Sequence, residues 1–157
     1  MIARASLSAL HVLALAIGFG AVFARGRRLR DLRRTPEDAA IYTRLFQADA
    51  LWGLAALLWI GTGLLRVFGG LEKQPAFYLR NGFFWIKMAL FLLVFVLEVR
   101  PIVTFGRWRK ARRTGAWPAT GGAPSLPGLI AVNDAETAIV VVIPFAAALM
   151  ARGAWLF

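Results

Sequence analysis

The sequence predicts an all-α integral membrane protein, a four-helix bundle of transmembrane helices. Hydrophobic residues make up 59% of the 157-residue chain, and they come in four long blocks rather than in short periodic sets. Each block approaches the roughly 20 residues that a helix needs to cross the hydrocarbon core of a bilayer. We expect one transmembrane domain over residues 1–157, with spans at about 5–24, 46–67, 83–105 and 134–151.

The first block predicts a retained transmembrane helix rather than a cleaved signal peptide. Its apolar run is longer than the 7–15 residues of a signal-peptide core, and an arginine cluster follows at once. At helical spacing, His11, Gly18 and Arg25 share one face with small alanines. Small residues on a membrane helix allow a neighbouring helix to approach closely.

The segment after the first block is predicted to be a basic loop over 25–34, followed by a short amphipathic helix over 36–46. Thr35 is suited to the N-cap of that helix and Pro36 to its first position. The second span follows, and Asp49 lies where it enters the membrane.

The third span carries Lys87 near one end and Glu98 near the other. Eleven residues separate them, which places both on one helical face but about 16 Å apart along the axis. An ionisable group inside a membrane segment is costly, so it indicates a function or an internal partner. Pro101 is predicted to end or kink this helix.

The last third of the chain begins with a basic segment, 106–113, and a segment rich in proline and glycine, 115–128, which is predicted to be the least structured part. The last span is expected to start near Asn133, because Asp134 and Glu136 suit a helix N-terminus.

The distribution of basic residues predicts orientation. The first connection holds seven, the third holds five within 107–113, and the middle one holds Lys73 and Arg80. The positive-inside rule places the first and third connections in the cytoplasm and both termini outside. We therefore expect a multi-pass protein of the bacterial inner membrane, with the lipid bilayer as partner. On this interpretation the net charge of +11 comes from basic connections that set the orientation in the membrane, and no nucleic-acid binding is expected.

The charged residues sort into two layers. The inner layer contains Arg25, Asp49, Glu98, Arg100, Asp134 and Glu136. We interpret it as a structural charge layer of interfacial salt bridges. The alternative interpretation is a proton path through Glu98. The outer layer contains His11, the sole histidine, and Lys87.

Two interpretations of the outer layer stay open. His11 is a metal or haem ligand, with a homodimer able to supply a second His11, or it is a hydrogen-bonding residue between helices. Lys87 either extends to the headgroups or anchors an anionic group, such as a propionate, beside His11. The absence of cysteine excludes disulfides and thiolate ligands.

Several segments resemble a family of small bacterial predicted membrane proteins of unknown function: 9–15, 47–53, 63–66 and 84–88, with the arginines after the first span. More distantly, His11 and Lys87 resemble functional residues of HemJ-type protoporphyrinogen oxidases, and the chain resembles the membrane domain of CopD-type copper-resistance proteins. The HemJ resemblance implies bound haem b and marks His11 and Lys87 as functional residues, which fits the hypothesis of His11 as ligand and Lys87 as anchor. The histidine that often follows later in the HemJ-type third span has no counterpart in this chain.

Three function classes follow. The first is a haem-associated redox protein using His11 and Lys87. The second is a small proton-linked transporter using Lys87 and Glu98, and the third is a membrane scaffold or assembly factor without catalysis. Whether the protein is an enzyme is left open.

Overall fold

The fold consists of helices throughout the part of the chain that the computed structural model describes, residues 2–69, 74–115 and 126–156. The helices are α1 (Ile2–Arg34), α2 (Ala39–Phe68), α3 (Pro75–Leu79), α4 (Gly82–Arg113) and α5 (Leu126–Ala151). All but α3 are long and apolar enough to cross a membrane. The all-α membrane class is therefore confirmed. Lys73 and most of the proline- and glycine-rich segment, 116–125, lie outside the described residues.

The four long helices leave much apolar surface outside the bundle. In their most apolar windows, only 11% to 28% of the residues are buried within the protein. A soluble protein rarely exposes apolar patches on this scale. The protein is thus embedded in a membrane, and these surfaces contact lipid.

Helix α1 is the central element, because it packs along both α2 and α5, while α4 packs against α5. Helices α2 and α4 meet through side chains, as in the ring pairs Phe46–Phe105 and Trp59–Phe91. The C-terminal turn closes onto α4, since the amide of Gly82 donates to the carbonyl of Trp155 at 3.0 Å. We call the end of the bundle where α1 and α4 finish the basic end.

The first connection differs from the prediction. The arginine-rich segment extends α1 to Arg34, and α2 starts at Ala39 with no separate amphipathic helix. Asp38, not Thr35, is the N-cap: its carboxylate accepts from the amide of Ala40 at 2.8 Å. Arginine has a high helix propensity, and Leu29 and Leu32 are buried in the core of the bundle. Helix α1 therefore continues through this segment.

Two further boundaries also differ. Pro101 does not end α4, which continues to Arg113, because burial of Pro101 and Phe105 in the bundle offsets the hydrogen bond that proline removes. Helix α5 starts at Leu126 with Pro127 second, where a missing amide hydrogen is harmless. Asp134 and Glu136 therefore lie inside a helix, not at its N-terminus.

Candidate functional site

Arg25 lies completely buried between the four long helices, although its position in a basic run suggested a loop. Its Nη1 donates to Asp49 of α2 at 3.2 Å and to Glu98 of α4 at 2.8 Å. Its Nη2 donates to the other oxygen of Glu98 at 3.1 Å and to Glu136 of α5. Each of the other three long helices thus supplies a carboxylate to one guanidinium. We call these four residues the Arg25 cluster.

Asn133 fixes the remaining side of the arginine. The Nε of Arg25 donates to its side-chain oxygen at 2.8 Å, and its amide group donates to the carbonyl of Val22 at 3.2 Å. Gly26 permits this close approach of α1 and α5, because a Cβ there would lie 2.5 Å from the Asn133 Nδ2. The guanidinium is therefore held in one orientation by hydrogen bonds on all three nitrogens.

The cluster reaches the basic end through its acidic members. Trp52 donates to Glu98 at 3.1 Å, and Arg109 donates to Asp49 at 2.6 Å. The side chain of Glu136 is fully buried, those of Asp49 and Glu98 are 11% and 14% exposed, and that of Arg109 is 39% exposed. The side-chain exposure is therefore lowest at Glu136 and highest at Arg109, towards the basic end.

Counted together with Arg109, the Arg25 cluster contains one carboxylate more than the cations balance. Arg25 and Arg109 face Asp49, Glu98 and Glu136. Among the described residues, the Oε1 of Glu136 is buried without a hydrogen-bond partner. An ionised carboxylate in this position would be an uncompensated buried charge, which is strongly unfavourable. A proton on the cluster removes that charge.

Two residues of the predicted charge layer lie outside the Arg25 cluster. Asp134 pairs with Arg30 at 2.5 Å, and both side chains are about half exposed. The exposed Arg100 lies over Gly128 of α5, where a Cβ would overlap its guanidinium. They can strengthen contacts between helices, but neither contributes to the buried network.

His11 is bound to α2 through both ring nitrogens. Its Nε2 accepts from the indole of Trp59 at 3.0 Å, so Nε2 carries no hydrogen. Its Nδ1 lies 2.8 Å from the hydroxyl of Thr62, whose own hydrogen is directed to the carbonyl of Leu58 at 2.6 Å. The Nδ1 therefore donates, and His11 is a neutral imidazole that joins α1 to α2.

Lys87 is half-buried, with its Nζ 5.5 Å from the ring centre of Phe84. Two aromatic residues lie between it and His11: Phe91, one turn after Lys87 on α4, packs on Trp59 at 4.7 Å between ring centres, and Trp59 bonds to His11. His11 is also about 21 Å along α1 from Arg25, fourteen residues away. The outer and inner layers are thus separate sites.

The comparisons with known proteins identify the family. The family model described as "Predicted membrane protein (DUF2214)" matches residues 3–154. The chain belongs to this family. No curated protein and no solved structure matches it. The family match confirms the resemblance to predicted membrane proteins, whereas the likeness to HemJ-type and CopD-type proteins stays a prediction.

In this DUF2214 chain, sequence reasoning missed several residues of both sites. The Arg25 cluster depends on Trp52, Arg109 and Asn133, and His11 depends on Trp59 and Thr62. One signal was present. Asn133 and Glu136 are three residues apart in a mostly apolar helix, which places both on one face. Their assignment to a helix N-terminus concealed it.

Proposed function

We propose that this protein is a proton-linked membrane carrier in which the Arg25 cluster binds and releases one proton. The observation that carries the proposal is the buried Oε1 of Glu136, which has no hydrogen-bond partner among the described residues and lies beside an excess of carboxylates. Ionisable groups inside a membrane bundle commonly form proton relays in pumps and transporters. A proton is the smallest cation that balances the cluster. Among the described residues, no group of three His, Cys, Asp or Glu side chains could hold a metal ion.

The route of the proton follows the exposure of the side chains. Glu98 and Glu136 both accept from the Nη2 of Arg25, so the proton moves between neighbouring carboxyl groups. Asp49 and Arg109 continue the network to the basic end. The positive-inside rule assigns this end to the cytoplasm, so we infer that the proton exchanges with the cytoplasmic side.

Proton binding is also suited to change helix packing. The three carboxylates lie on α2, α4 and α5, and each binds the one guanidinium on α1. Release of the proton restores an unpaired charge, and the guanidinium must then redistribute its bonds among the helices. A local charge change that biases the packing of elements is the basis of many switching proteins. In this mechanism Glu98 belongs to the proton site, whereas Lys87 lies in the outer layer.

Proton flux into liposomes tests the carrier function. We expect liposomes with the wild-type protein to take up protons when a potassium diffusion potential is imposed, as reported by an enclosed pH-sensitive dye. Glu136→Gln keeps the shape of the side chain and still accepts from Arg25, but it cannot carry the proton. It should reduce the flux to that of protein-free liposomes. Asp134→Asn, on the exposed side of the same helix, should retain it. Equal flux in wild type and Glu136→Gln would refute the proposal.

A scaffold or assembly factor is the second candidate, favoured by the fact that one arginine binds all the other long helices. On that account the cluster only stabilises packing. The same liposomes separate the two, because a scaffold gives no flux above protein-free liposomes in the wild type itself.

A haem-associated redox function at His11 receives less support from the geometry. Both ring nitrogens are bonded, so iron would have to displace Trp59 or Thr62. We expect protein purified from haem-supplemented membranes to show no Soret absorption band. A band that His11→Ala abolishes would contradict this expectation and restore the haem hypothesis. The homodimer and the absence of nucleic-acid binding stay predictions.

A further inference from the structure

A groove opens between α2 and α4 at the basic end. It has a volume of about 400 Å³, within the range of small-molecule sites, and its main lining residues are Thr43, Phe46 and Ala50 of α2 and Arg109, Arg112 and Arg113 of α4. It exists because these two helices meet through side chains instead of packing closely along their backbones. The α2 wall thus presents the apolar Phe46 and Ala50 between the polar Thr43 and Gln47, and the α4 wall carries three cations.

Two of the three guanidinium groups of the groove, those of Arg109 and Arg112, lie over aromatic rings. Arg109 lies 4.9 Å from the ring centre of Phe46, and Arg112 lies 5.9 Å from the same ring and 6.0 Å from that of Tyr42. Arg112 also contacts the hydroxyl of Thr43 at 3.5 Å. Such stacking orients the cations before any ligand arrives, which lowers the entropic cost of binding.

The charge of the groove is largely uncompensated. Asp49 neutralises Arg109, but within the described ranges neither Arg112 nor Arg113 forms an ion pair with a carboxylate. Guanidinium groups bind phosphate oxygens through paired hydrogen bonds. A phosphate-bearing ligand would therefore supply the missing negative charge.

We propose that this groove binds the headgroup of an anionic phospholipid, with the phosphate on Arg112 and Arg113 and an acyl chain along Phe46 and Ala50. The groove lies where apolar α2 and α4 meet the basic end, which is the depth at which headgroups meet acyl chains. Basic pockets between transmembrane helices are suited to anionic lipid headgroups. The combined apolar and cationic walls match a lipid better than free phosphate, which would use the cations alone.

Lipid titration of the purified protein tests this proposal. Phosphatidylglycerol is titrated into the full chain in an uncharged detergent, and bound lipid is counted by native mass spectrometry. The double variant Arg112→Gln/Arg113→Gln should weaken phosphatidylglycerol binding about 25-fold, since each of the two basic residues near the headgroup contributes about a factor of five. The matched control, Arg33→Gln/Arg34→Gln, removes the same charge from the exposed end of α1 and should bind normally.

Three results would overturn the proposal. Equal loss in both double variants would indicate non-specific attraction to the basic end, and equal binding of phosphatidylcholine would remove the role of charge. Displacement of the lipid by inorganic phosphate at matched concentration would indicate a free-phosphate site.

Should the Arg112/Arg113 variant fail to fold, Ala50→Leu decides, because it narrows the groove beside Phe46 and leaves every charge in place. We expect it to weaken phosphatidylglycerol binding, and unchanged binding would contradict the proposed site.

Discussion

Arg25→Met is expected to lower the free energy of unfolding by about 3–5 kcal/mol, the typical result of removing one partner of a buried ion pair. The substitution leaves Asp49, Glu98 and Glu136 facing one another in the bundle without their shared cation. It also removes the donor to Asn133. No single replacement at the surface should destabilise the protein to this degree.

Unfolding by SDS in mixed micelles measures the effect of Arg25→Met. Arg27→Met is the matched control, because Arg27 is exposed two residues further along α1 and should change stability little. A triple variant, Arg25→Met with Glu98→Gln and Glu136→Gln, should regain part of the lost stability, because it removes the uncompensated charges. Equal stability of Arg25→Met and Arg27→Met would contradict the role of Arg25 as the central tie between helices.

Asn133→Leu should have the second largest effect, a loss of about 2–3 kcal/mol. It leaves a charged donor, the Nε of Arg25, without a partner in a buried site, and it removes the bond from Asn133 to the carbonyl of Val22. The contact between α1 and α5 is tight at Gly26, so the branched leucine also meets the backbone of α1. Both consequences act on the same interface between α1 and α5.

The same SDS titration measures Asn133→Leu against Thr137→Val. Thr137 lies one turn later on α5, and its hydroxyl donates to the carbonyl of Asn133 within the helix at 2.7 Å. That bond joins no second helix, so its loss should cost well under 1 kcal/mol. Equal destabilisation of both variants would contradict a special contribution of the hydrogen bond between Arg25 and Asn133 to the stability of the protein.

The sequence was sufficient for the fold class, because hydropathy blocks and basic connections depend on local composition. It was insufficient for helix ends. The segment 25–34 read as a loop because of its charge, yet Leu29 and Leu32 turn one face of it into core. Pro101 read as a terminus, yet tertiary packing of α4 overrides the local cost of proline.

The site was predictable in its members but not in its geometry. Asp49, Glu98 and Glu136 stood out as acids in apolar blocks, and membrane depth placed them in one layer. The layer did not reveal that Arg25 turns inward to collect all three, since Arg27 and Arg28 close by have the same side chain. That choice depends on how α1, α2, α4 and α5 rotate against one another, which one sequence does not encode locally.

Infrared difference spectroscopy tests the central claim most directly, because it detects the C=O stretch of a protonated carboxylic acid. Spectra of the protein in lipid are recorded between neutral and alkaline buffer, a range in which exposed carboxylates stay ionised, in water and in D₂O. We predict a protonated carboxyl band that shifts in D₂O, is absent in Glu136→Gln and is retained in Asp134→Asn. A spectrum in which the Glu136→Gln variant keeps the whole band would contradict a proton held at the Arg25 cluster.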